Sequence, residues 1–175
     1  MNRFLIEDDV DSIAESLCDQ HIVKMPLEEA QMLCTSVWHH APEYAEHYEL
    51  YKPVHQKHPC TLWAMENRAN FTYAFNLYIS MLCEYHHRYG KWHGAGNPST
   101  TNSFARPHHI LAARYFIPDG ELTAHPQCFS GHDDCKTDED WPIVAYRAFY
   151  KVDKMRFARY NKGREMPDWM KECAA

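Results

Sequence analysis

Four polar residues of different kinds recur at helical spacing early in the chain: His21, Lys24, Glu28 and Gln31. Side chains three, four and seven residues apart share one face of an α-helix, so these four line up in a single stripe. A carboxylate beside an ammonium and an imidazole is an arrangement whose proton affinities can be tuned for acid/base or amine chemistry. The same spacing suits a solvated, salt-bridged helix face, and spacing alone leaves both readings open.

The elements that must position this stripe can be read from the apolar periodicity. Asp11 is placed to cap a first long helix in which Ile13, Ala14, Leu17, Cys18, Ile22 and Met25 recur at helical intervals, and Pro26 is expected to kink it before it continues through Leu33 and Val37. A second long helix is expected to begin with Pro59 in its first turn and to run through Trp63, Phe71, Phe75, Tyr78, Leu82 and Tyr89 until Gly90 stops it. His58, Trp63 and Asn67 would then face the stripe from this helix, with Trp63 as a pocket wall or, as is commoner for tryptophan, a core residue. GAGNPSTTN over 94–102 reads as a loop, 108–115 as a short helix and 125–140 as irregular chain. Asp140 and Pro142 open a last, basic helix expected to bury Val144, Ala145, Phe149, Val152 and Phe157 and to end at Gly163. The sum is a single all-α domain over 1–175: an irregular helical bundle with two long helices, a basic C-terminal helix and long loops.

Composition agrees with a folded, water-facing chain. Of its 175 residues 45% are hydrophobic and 14% aromatic, too many for disorder, and no stretch reaches the roughly 20 apolar residues of a membrane span. The start MNRFLIEDDVD lacks the pattern of a secretory signal, so a cytoplasmic location is expected. Seven scattered cysteines then suit free core thiols better than a disulfide framework. The net charge of -6 is unevenly spread: 86–114 holds four Arg or Lys and no acid, and 142–164 holds seven against Asp153 alone. Such a split suggests a basic face for a polyanion, with two solvated helix surfaces as the plainer reading. His125, Cys128, His132 and Cys135 are spaced three, four and three apart and are weak candidates for a tetrahedral structural zinc. Deaminase, Walker and dinucleotide-binding motifs are absent, and no cofactor is expected.

The opening MNR with its following apolar pair, the segment SLCDQHIV, and a glutamate seven residues after the histidine together resemble the start of the viral pyrimidine-dimer DNA glycosylases. The likeness covers roughly the first 40 residues. DQHIVKM, HPCTLW and YRAFY also resemble elements shared by a wider group of phage proteins. The resemblance implies that Glu28 is the acid/base carboxylate and that Arg3 and His21 contact DNA and the reacting nucleotide. The nucleophile of that family is an N-terminal amine, so Met1 or Lys24 would supply it here. Leu27 and Gln31 stand where the family carries arginines. The implied chemistry is attack on the sugar C1′, loss of the base as a Schiff base forms, and β-elimination of the strand.

On this reading the chain is a DNA-acting enzyme whose partner is double-stranded DNA, with no membrane partner and the oligomeric state left open. Catalysis would fall to Glu28, Lys24, His21 and Met1, and substrate contacts to Arg3, Gln31, His58, Trp63, Asn67, Tyr89, Arg147, Tyr150 and Lys154. Two alternatives stand beside it: amine or amino-acid transfer onto a 5-hydroxymethylpyrimidine-derived base, and a phage protein that binds nucleic acid without chemistry.

Overall fold

The computed structural model describes residues 2–99 and 106–171, and the described chain is helical without a strand. Helix α1 spans Val10–Ser16 and α2 Asp19–His40; α3 (Pro42–His47), α4 (Pro59–Glu66) and α5 (Arg68–Tyr89) follow. After them come α6 (Arg106–Ala112), α7 (Ile143–Phe149) and α8 (Asp168–Lys171). Short 3-10 turns cover Ala113–Phe116 and Asp133–Cys135, and one π-helical turn covers Tyr150–Lys154. The two long helices, α2 and α5, pack on each other, and α1 and α4 lie against them. No helix among the described residues is long and apolar enough to cross a membrane.

Three helix boundaries differ from the sequence expectation, each for a local reason. The first helix breaks at Leu17 and Cys18, not at Pro26: Asp9 rather than Asp11 caps α1, accepting from the amides of Asp11 and Ser12. At the break Leu17 is extended, with ψ 139. The Cys18 amide, which a continuous helix would direct back up the chain, donates to the Tyr150 hydroxyl at 3.0 Å. Helix α2 then runs unbroken through Pro26, which costs it one backbone donor.

The second helix is likewise two. Asn67 sits between α4 and α5 in an extended conformation (φ -156, ψ 168) and caps α5, its side chain accepting from the Asn70 amide at 2.9 Å. Gly120 presses on this corner so closely that a Cβ there would lie 2.7 Å from the Cβ of Asn67. Gly90 ends α5 as expected, in the left-handed conformation at φ 66. The C-terminal helix is shorter than expected: Pro142 caps it, α7 ends at Phe149, and the π-turn Tyr150–Lys154 carries the chain onward, with Ala145 and Phe149 buried but Val144 and Val152 facing solvent rather than the core.

Two apolar clusters hold these pieces. One gathers Phe4, Leu5 and Ile6, α1, the first turns of α2, and Tyr146, Phe149 and Tyr150. The other joins the later half of α2 to α4, α5 and α6 through Leu33, Val37, Trp63, Phe71, Tyr78 and Ile110. Residues 2–6, all buried, thread through the first cluster. The start of the described chain is therefore an internal strap, and it brings Asn2, Arg3 and Phe4 beside α2.

Candidate active site

Along α2 the expected stripe changes character with each turn. His21 is only 7% exposed. It stacks on Phe4 with ring centroids 4.7 Å apart, and its Nδ1 lies 2.7 Å from the Tyr150 hydroxyl. Burial chiefly, helped by the charges of Lys154 and Lys24, pushes its pKa down to about 3, so the ring is neutral at ordinary pH. Tyr150 already accepts from the Cys18 amide, which leaves its own proton for Nδ1. We therefore assign the ring proton of His21 to Nε2.

One turn on, Lys24 and Glu28 pair at 3.1 Å, with their side chains 66% and 13% exposed. The ammonium is thus out in solvent while its carboxylate partner is mostly shielded. Gln31, a turn further, is half-buried and gives its carbonyl to the Thr35 hydroxyl at 2.8 Å.

A cleft of about 240 Å³ opens at the upper end of this stripe, lined by Asn2, Phe4, His21, Lys24, Ser130 and Lys154 among others, with Phe129 and Phe149 as apolar walls. Its parts come from the N-terminal strap, α2, the irregular 125–140 segment and the π-turn. Lys154 reaches over Phe149 at 5.0 Å and pairs with Asp153 at 2.5 Å. A larger depression of about 400 Å³ near His40, Glu43, Tyr44 and Phe116 contains none of the expected site residues.

Several expected contacts do not converge there. Arg3 is fully buried and bound through two nitrogens to Glu29, with Nε 3.2 Å from Oε2. Burial is the strongest single influence and opposes its charge, but Glu29, helped by Cys60 and Tyr146, more than offsets it and the pKa of Arg3 is raised. Arg3 is therefore an internal cation and not one presented to DNA. Trp63 is buried, donates from its indole nitrogen to the Thr123 carbonyl at 3.2 Å and lies under the Arg3 guanidinium, so it is a core residue. Asn67 is spent on its cap. Tyr89 packs on Tyr85 and reaches the Asp19 carbonyl at 3.4 Å, while Arg147 pairs with Glu7 at 2.5 Å. His58 caps α4, accepting from the Cys60 amide at 3.2 Å. Met1 lies outside the described residues.

The expected basic face is also partly consumed internally. Arg88 is buried between Asp19 and Glu84, and Arg164 pairs with Glu84 and Glu15. Lys151, Arg156, Arg159 and Lys162 form no ion pair among the described residues, and the last three are exposed.

The expected zinc quartet is not assembled. Cys135 is buried in the first apolar cluster, His132 packs on Phe149, and His125 is enclosed by Trp63, Trp141 and Tyr146. Cys128 instead meets Cys60, Sγ to Sγ at 3.4 Å. The bond from Cys60 chiefly holds the Cys128 thiol below its ordinary pKa, and the same bond raises that of Cys60.

Sequence reasoning missed Glu29, Cys60, Phe129 and Ser130. Glu29 carried a readable signal: it falls on the apolar side of α2 with Ile22, Met25 and Leu33, where a lone acid needs a buried partner. The meeting of Cys60 with Cys128 depends on how an irregular loop folds back, and no local pattern announces it. Comparison of the chain with protein-family models, with curated proteins and with solved structures returns no match.

Proposed function

We propose that the chain is a DNA-acting enzyme that receives one nucleotide of a duplex in the cleft beside α2. Lys24 supplies an amine and Glu28 the acid/base carboxylate, as in a pyrimidine-dimer glycosylase/AP lyase. One observation carries this reading: the Lys24 amine lines a cleft together with neutral His21 and cationic Lys154, and a carboxylate, Glu28, lies 3.1 Å from that amine one turn further along α2.

The chemistry follows from the pairing. Glu28 accepts a proton from the Lys24 ammonium, and the freed Nζ attacks the sugar C1′. The C1′–N bond to the base breaks, and the base leaves with that electron pair and a proton. The C1′–O4′ ring bond then opens, O4′ taking a proton from Glu28 as the nitrogen lone pair forms the iminium. This acidifies C2′, loss of a C2′ proton expels the 3′ phosphate, and water then releases Lys24 from the sugar.

Phe4 and Phe149 give the cleft apolar walls, and Lys154 with the neighbouring Lys151 and Arg156 gives phosphates a cationic flank. A nucleotide must leave the stack to reach such a recess, which is the step base-flipping enzymes use.

Duplexes carrying a thymine dimer, an abasic site or 5-hydroxymethyluracil test the reading. Strand nicking on the first or second that disappears in Glu28→Gln while DNA binding persists supports it. Binding without nicking on every duplex points to a plain DNA binder, and a mass gain on the 5-hydroxymethyluracil strand in the presence of an amine donor points to base modification.

A further inference from the structure

We propose that His58, Cys60 and Cys128 form a binding site for a thiophilic divalent cation, Zn²⁺ foremost, with three protein ligands and a fourth position left for water or a substrate group. This proposal is independent of the amine chemistry above.

The geometry brings together ligands from two distant parts of the chain. His58 and Cys60 flank Pro59 at the start of α4, and Cys128 comes from the irregular segment before α7. One ligand atom from each lies within 4.8 Å of the others, and among the described residues they are the one such group of three His, Cys, Asp or Glu. The sulfurs stand 3.4 Å apart. Zn–S bonds of about 2.3 Å in a tetrahedron set two thiolates about 3.8 Å apart, so uptake requires an opening of only a few tenths of an ångström. The His58 Nδ1 lone pair now accepts a long bond from the Cys60 amide, 3.2 Å, and turns from that amide to the metal.

The ligands are held from behind. Asn2 Nδ2 donates to the Cys128 carbonyl at 2.9 Å, and the Tyr146 hydroxyl accepts from the Cys128 amide at 3.3 Å while lying 2.7 Å from the Pro126 carbonyl. Such outer contacts orient a metal's ligands. Arg3 reaches the Cys60 carbonyl at 3.4 Å, but its charge is paired with that of Glu29. Binding releases the two thiol protons, and the thiolate charges then balance that of the metal.

Access is available. Cys60 is buried, but His58 and Cys128 are half-exposed, and Cys128 also lines the cleft that holds His21 and Lys24. A disulfide is the rival use of two neighbouring sulfurs. It needs them to close to about 2.05 Å and gives His58 no part.

The test is an anaerobic titration of the reduced, metal-free full chain with Co²⁺, followed by thiolate-to-cobalt charge transfer in the near ultraviolet and by tetrahedral visible bands. One equivalent should saturate the signal, and one equivalent of Zn²⁺ should abolish it. Cys128→Ser should lose the charge-transfer intensity, and His58→Asn, which can keep the α4 cap, should weaken binding at least tenfold. Circular dichroism confirms that both variants are folded, and neither removes the buried Cys60. Weak octahedral bands alone, a signal unchanged in Cys128→Ser, or ready air oxidation to a Cys60–Cys128 disulfide with no cobalt uptake after reduction would each overturn the proposal.

Discussion

Glu28 and Glu29 are neighbours in sequence and opposites in physics. Glu28 pairs with Lys24, whose side chain is 66% exposed, whereas Glu29 pairs with Arg3 at zero exposure on both sides. One residue of helix turns the second carboxylate by about 100°, from the side of α2 that carries Lys24 into the core. The first pair keeps its ammonium in solvent, where an ion pair adds little stability. A buried pair is costly to form, and neither partner can be removed without stranding the other. Adjacent identical side chains thus meet different surroundings according to the face of α2 they occupy, and of the two only Glu28 is placed for the proposed chemistry.

The division can be broken first at its structural end. Glu29→Gln or Arg3→Met should destabilise the protein by about 3–5 kcal/mol, read by urea or thermal unfolding. Replacing both partners with apolar residues should recover much of that loss. If either single substitution is silent, the buried pair does not hold the N-terminal strap.

A pH series sharpens the comparison. His21 titrates near 3 when folded and near 6.5 when unfolded, so below 6.5 the unfolded chain takes up a proton that the folded chain refuses. Stability is fully present above 6.5 and falls as pH drops toward 3, by up to about 1.4 kcal/mol per pH unit from this group. His125, whose pKa burial also lowers, acts in the same direction, so His21→Gln should reduce the slope and not abolish it.

Tyr150→Phe removes the hydroxyl that serves both the Cys18 amide and His21 Nδ1. A cost of about 1–3 kcal/mol is expected in equilibrium unfolding, with a rise in the His21 pKa absent from the outcome because burial dominates it. At the chemical end, Lys24→Met should change stability by less than about 0.5 kcal/mol, and both it and Glu28→Gln should lower turnover at least a hundredfold.

Much of the fold was legible because it rests on periodic apolar residues. Trp63, Phe71, Tyr78 and Leu82 pointed to the helical core around α4 and α5, and Gly90 marked its end. The breaks at Leu17 and Asn67 were not legible, since each depends on a tertiary partner: the Tyr150 hydroxyl for one, the close approach of Gly120 for the other. For the site, the i,i+4 relation of Lys24 and Glu28 could be read directly. Arg3 could not, because a cation near the chain start looks like a surface group until the strap is seen to run inside. The roles of Tyr150 and Lys154 depended on the π-turn, which sets both beside α2 from more than a hundred residues away.

Borohydride trapping asks whether Lys24 is the attacking amine. The protein is incubated with abasic and thymine-dimer duplexes, the imine is reduced, and the adduct is mapped by peptide mass spectrometry. A covalent adduct on Lys24 that vanishes in Lys24→Met and falls sharply in Glu28→Gln is the predicted result. An adduct mapped to another amine, or none on either duplex under conditions where the DNA is bound, would contradict it.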